Sequence, residues 1–131
     1  MLNHITKIKD LETEALKIAE FFDSHCSEDP EEAVARGADV QVYIARTGKM
    51  LADAKYHQDC AINENTLLCM EMHKAMPPMV RKNLIESMCK RENYLVNMIE
   101  RLNRTAYHHS EWLRTIISKA KAEMHANKPF N

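Results

Sequence analysis

Hydrophobic positions in this chain recur mostly at intervals of three and four residues, the repeat of one face of an α-helix. Ile5, Ile8, Leu11, Ala15, Ile18 and Phe22 draw such a stripe, widened by Leu16 and Phe21, and predict a first helix over residues 3–23. The segment 24–29 is polar apart from Cys26 and reads as a loop. Asp29-Pro30-Glu31-Glu32 then has the form of a helix start. A carboxylate can cap free backbone N–H groups, proline suits the first turn, and glutamates complement the positive helix end. A long helix is expected from there to about residue 61, with Val34, Ala38, Gln41, Ala45, Gly48, Ala52 and Tyr56 near one face. Gly37 and Gly48 lie inside it, and each weakens a helix by ~1 kcal/mol relative to alanine. A break at Gly37 with Asp39 capping a second piece is the alternative; the continuous helix is preferred, its small residues letting a neighbour approach closely.

The segment 62–66, Ile-Asn-Glu-Asn-Thr, is expected to interrupt or end that helix. A short Met-rich helical stretch over 67–76 follows, and Pro77-Pro78 stops it. Pro78 can open a further short helix to about Cys89, striped by Val80, Leu84 and Met88. The last element is the clearest. Leu95, Met98, Leu102, Ala106, His109, Leu113, Ile116, Ala120 and Met124 repeat by three or four over residues 91–125, an amphipathic helix of roughly 50 Å. The expected fold is all-α: a single helical domain over 1–131, a bundle with two long helices (about 30–61 and 91–125) and two or three shorter ones.

Composition sharpens this picture. With 131 residues, 45% hydrophobic and 28% charged, the chain can bury a core, and its 2 glycines and 4 prolines are too few for a turn-rich β fold. No apolar run approaches the ~18 residues that span a bilayer, and charges punctuate the first residues where a secretory segment would be apolar. Four cysteines (Cys26, Cys60, Cys69, Cys89) in such a chain read as reduced, small apolar residues. The net charge of −1 hides an asymmetry: residues 1–80 hold 8 basic and 14 acidic side chains, residues 81–131 hold 10 and 5. That split favours one half packing on the other, head-to-tail association into a homo-oligomer, or an anionic ligand on the C-terminal half. The overall net charge of −1 argues for weak or no nucleic-acid binding, which rests mainly on phosphate contacts.

Two clusters carry candidate chemistry. His57, Cys60, Cys69 and His73 read H-x2-C-x8-C-x3-H, a donor set that tetrahedral zinc accepts if a turn near 63–65 brings the two pairs together. A core stripe explains Cys69 equally well, and no metal or other cofactor is expected. On the last helix, Arg104, His108, Glu111, Thr115 and Ser118 form a polar stripe beside the apolar one, flanked by Arg101 and Arg114 and by Tyr107 and Trp112. Guanidinium groups, an imidazole and an aromatic plane suit a phosphate with a stacked base. Arg104 and Arg114 would hold phosphate, His108 would donate a hydrogen bond, and Tyr56 or Trp112 would stack a base, with Lys55 beside Tyr56. His109, on the apolar stripe, reads as a hydrogen-bonded core residue. Gly-rich phosphate loops, H-E-x-x-H, nucleophile elbows and paired Glu-x-x-His motifs are missing, so an enzyme is not expected.

The segments TGKMLADAKY (47–56), RENYL (91–95), ERLNRT (100–105) with His108 four residues after Arg104, LRTIIS (113–118) and KAEM (121–124) resemble a family of small all-helical accessory proteins of phages and prophages. The likeness covers about half of the chain. It implies a phage accessory protein in the host cytoplasm and no established activity. Three expectations follow: a non-catalytic binder of an anionic small molecule, such as a nucleotide signal of host defence; a protein–protein module acting on a host or phage enzyme; and an accessory factor in phage DNA transactions.

Overall fold

The computed structural model describes residues 4–72 and 76–127, and within them four helices and no strand: α1 (Ile8–Asp23), α2 (Pro30–Met72), α3 (Pro78–Met88) and α4 (Lys90–Ala126). The all-α bundle with two long helices is therefore what the chain forms. Among the described residues, no helix is long and apolar enough to cross a membrane.

α1 starts at Ile8, five residues later than its stripe predicts, because the backbone before it is engaged by α2. The Thr6 N–H donates to Asp53 Oδ2 at 3.0 Å, and the Thr6 carbonyl accepts from His57 Nε2 at 2.7 Å. Lys49, one turn before Asp53, pairs with that carboxylate and donates to the His4 carbonyl at 2.9 Å. At the other end of α1, Arg36 donates to the Phe21 carbonyl at 2.9 Å, with its guanidinium carbon 4.2 Å from the centre of the Phe21 ring. Between these tethers, Glu12 pairs with Arg91 and Glu14 with Arg46.

α2 begins as expected, with the Glu32 N–H donating to Asp29 Oδ2 at 3.2 Å and Pro30 in the first turn. It passes both glycines and, against expectation, also the 62–66 segment, giving 43 unbroken residues, about 65 Å. Asn65 and Thr66 are accommodated because their side chains bond back to the carbonyls of Ala61 (2.8 Å) and Ile62 (2.6 Å), one turn earlier. The separate helix expected at 67–76 is thus the end of α2 up to Met72, and His73 lies outside the described residues.

The inward face of α2 also differs from the expected one. Val34, Gln41, Gly48, Ala52 and Tyr56 are exposed, whereas Ala33, Val40, Thr47, Met50 and Ala54 are buried. Alanines are scattered around this helix, so apolar spacing alone does not single out a side. What does is a seven-residue repeat, Ala33, Val40, Thr47, Ala54, one of whose members is polar. Thr47 is fully buried yet satisfied: its hydroxyl donates to the Tyr43 carbonyl at 2.7 Å and accepts from Asn103 Nδ2 at 2.8 Å.

α4 runs antiparallel to α2, as three polar rungs show. Gln41 donates to Ser110 Oγ (3.1 Å), Asn103 to Thr47 Oγ1 (2.8 Å) and Gln58 to Asn93 Oδ1 (2.8 Å). Around the middle rung, Leu11, Ala15 and Ile18 of α1 close a core with Met50, Ala54, Leu95, Ile99 and Leu102. A second cluster, Ala33, Val40, Ala106 and Leu113, is roofed by Phe21 and Phe22. Of the predicted α4 stripe, Leu95, Leu102, Ala106 and Leu113 are buried and Met98 and His109 partly so; beyond Leu113 it opens until Met124 lies outside the bundle, 72% exposed. α3 meets α4 at Cys89, and no α3 residue is buried; Val80 and Met88 of its expected stripe are exposed.

Candidate functional site

The residues expected to bind an anion are all accessible but spread along the bundle. Arg104, His108, Trp112 and Arg114 lie on the exposed side of α4, and Lys55 and Tyr56 on that of α2. The rung between Gln58 and Asn93 fixes the register. Lys55 and Tyr56 thus lie beside the start of α4, about 13 Å along the bundle from Arg104 and about 28 Å from Arg114 at 1.5 Å per residue. Neither Arg104 nor Arg114 has an ion-pair partner among the described residues, and His108 Nδ1 stands 3.7 Å from Glu111 Oε2 with both side chains mostly in solvent. Trp112 packs beside His109, ring centres 5.6 Å apart, and borders a shallow hollow with Thr115 and Lys119 near the far end of α4. No single small molecule can meet Tyr56 and Arg114 together.

The four possible zinc donors are separated as well. With α2 continuous, Cys60 and Cys69 stand nine residues apart on one helix, about 13 Å along its axis and half a turn around it. Cys69 is buried, whereas Cys60 lies beside Tyr56, whose phenol pKa is raised chiefly by the neighbouring Cys60 thiol. His57 is spent on the Thr6 carbonyl. Among the described residues, no group of three or more histidine, cysteine or carboxylate side chains is placed to hold a metal ion.

Two further polar nodes hold the bundle together. Burial raises the pKa of Asp53, but hydrogen bonds from Lys49 and the Thr6 backbone outweigh it and leave the carboxyl below its ordinary value. His109 is half-buried between Phe22 and Trp112 and accepts a hydrogen bond from Arg36 Nε at 2.9 Å, so its ring is a neutral acceptor there. Burial, and secondarily the Arg36 charge, hold its pKa below the ordinary histidine value.

The concave site lies elsewhere, where α3 folds against α2 and the start of α4. A cleft of about 550 Å³ opens between Gln58, Ile62 and Thr66 of α2, Arg81, Lys82 and Ile85 of α3, and Asn93 of α4, with one carboxylate, Glu86, against the two cations on its wall. The Gln58–Asn93 rung forms part of its wall, and Cys89, fully buried, closes the corner, its sulfur accepting from Asn65 Nδ2 at 3.4 Å. Arg81 donates from Nη2 to the Met76 carbonyl at 3.2 Å, while its Nε is buried with no hydrogen-bond partner. No acidic residue occupies the first turn of α3, so Arg81 and Lys82 add their charges to the positive end of the helix dipole. An apolar lining with a few convergent polar donors is the usual form of a small-molecule site.

Periodicity did not reveal this cleft. Its residues come from three helices and are joined only because α2 continues past residue 62. The available signal was the Arg81-Lys82 pair placed just after Pro77-Pro78, two cations where helices favour acids.

Compared with family models, curated proteins and solved structures, the chain matches none.

Proposed function

We propose that this protein is a non-catalytic binder of a small anionic molecule with an apolar part, held in the cleft between α2, α3 and α4. The observation that carries the reading is Arg81: a guanidinium whose Nε is buried without a partner, at the positive end of α3, on the wall of a largely apolar cleft. A buried unpaired N–H costs roughly 1–3 kcal/mol, more on a charged group, and an anionic oxygen would relieve it. Lys82 would add charge, Gln58 and Asn93 would orient polar edges, and Ile62 and Ile85 would flank the apolar portion. In the phage accessory role implied by the resemblance, such a ligand would be a nucleotide signal of host defence, sequestered and not turned over.

The test is native mass spectrometry of protein purified from cells, followed by calorimetric titration with phosphate, pyrophosphate and nucleoside mono- and diphosphates. Arg81→Met retains the aliphatic stem and removes the donors, and is expected to weaken binding at least about 30-fold, the loss of a charge-assisted hydrogen bond. A wild-type protein that releases no anion and binds none of these probes defeats the reading.

A second reading is favoured by the unpaired Arg104 and Arg114, about 15 Å apart on exposed α4. Such spacing suits an acidic surface on a host or phage protein better than a single small anion.

A further inference from the structure

The end of the bundle that carries α3 is unfinished. Asn65 still reaches Cys89 at the start of α4, but α2 continues to Met72 with no α4 beside it. In that extension Leu67, Leu68, Met70 and Met72 are all exposed and only Cys69 is buried. Only Glu71 breaks this exposed apolar surface, and a helix turn so apolar outside a core is one that other protein covers. Beside it, α3 has 11 residues and no fully buried side chain, a helix so short that it depends on packing to persist.

The exposed apolar surface is also large enough for a partner. Seven side chains between Leu67 and Met88, each 41–69% exposed, offer roughly 700 Å², close to one partner's share of a standard stable interface. Its charge points to what covers it. Among its described residues, three acids (Glu64, Glu71, Glu86) stand against two bases (Arg81, Lys82), a net charge of only −1. So near to neutral, such a surface repels its own copy little, as a two-fold contact between identical patches requires.

We propose that this end is the dimer interface of the protein, the α2 extension and α3 of one copy closing on the same elements of a second copy to form a four-helix cap. Met79 and Val80, exposed on α3, do not line the cleft. The proposal therefore goes beyond the ligand reading and stands without it.

Sedimentation velocity on the full chain, up to about 100 µM, tests it. The expected species has twice the 15.2 kDa chain mass. A double variant, Met72→Glu with Met79→Glu, puts charges into the contact and is expected to weaken dimerisation about 100-fold or more, with its helical circular dichroism retained because both side chains already face solvent. Met124→Glu, equally exposed at the far end of α4, is expected to leave the dimer intact. Hydrogen exchange on the wild type supplies a readout independent of any variant: protection of α3 amides should rise with protein concentration. A wild type that stays monomeric at the highest concentration, a double variant that dimerises as tightly, or α3 protection independent of concentration overturns the proposal.

Discussion

Asp53 offers a quantitative test of how α1 is attached. Its carboxylate is 5% exposed, accepts the Thr6 N–H and pairs with Lys49. Asp53→Ala removes an acceptor for two donors. Lys49 is half-exposed and can turn to water, so most of the cost falls on the Thr6 N–H and the packing it secures. Hydrogen bonds to a charged group contribute about 1.5–3 kcal/mol, and water can reach Thr6 once residues 4–7 detach, so a loss near 2 kcal/mol is expected. Asp53→Asn keeps an acceptor for Thr6 and loses the charge; about 1 kcal/mol is expected. Urea unfolding of the three proteins measures both. For a chain of this length, each kcal/mol corresponds to roughly 3–5 °C in melting temperature. Hydrogen exchange at Thr6 should speed up in Asp53→Ala and much less in Asp53→Asn. The carboxyl pKa is lowered in the fold from 3.8, so its contribution is complete above that value and is lost as pH falls through it toward the folded pKa. The reasoning fails if Asp53→Ala unfolds within 0.5 kcal/mol of wild type (about the scatter of a surface substitution), or if the two variants are equally destabilised.

Two other outcomes are expected. Gly48 has no positive φ, and a Cβ added there meets nothing within 4 Å. Gly48→Ala should therefore raise stability by about 0.5–1 kcal/mol in the same urea assay. The His109 pKa is lowered in the fold from 6.5, so the unfolded chain binds the proton more readily and stability should decline as pH falls below that value. Urea midpoints at pH 7 and pH 5.5 should differ more in wild type than in His109→Gln; equal differences refute the role given to the Arg36–His109 contact.

The two long helices were legible because each principle acted alone on them. In α4, apolar residues and charges divide cleanly between two sides, and Pro30 with Asp29 marks the start of α2 without ambiguity. The inward face of α2 was not legible, since alanine packs equally well inside or outside and the residue that fixes the seam, Thr47, is polar. The end of α2 was misjudged for a related reason. Asn65 and Thr66 disfavour a helix in isolation, yet here their side chains bond to the preceding turn and, through Asn65, to Cys89. That continuity also separates the two cysteines of the expected zinc set and creates the cleft beside α3. Arg81 could not be distinguished from other surface cations by spacing, because what sets it apart is the absence of a partner for one buried nitrogen.

The tethers of α1 bear on how the chain is made. Its buried residues Leu11, Ala15 and Ile18 close against Leu95, Ile99 and Leu102, which a ribosome elongating at about 5–20 residues per second adds roughly 4–18 s later. Of the four helices, α1 therefore waits for α4 before its buried stripe is fully covered. Until α4 is complete, a nascent chain presents that apolar stripe to whatever holds unfinished proteins in the cell.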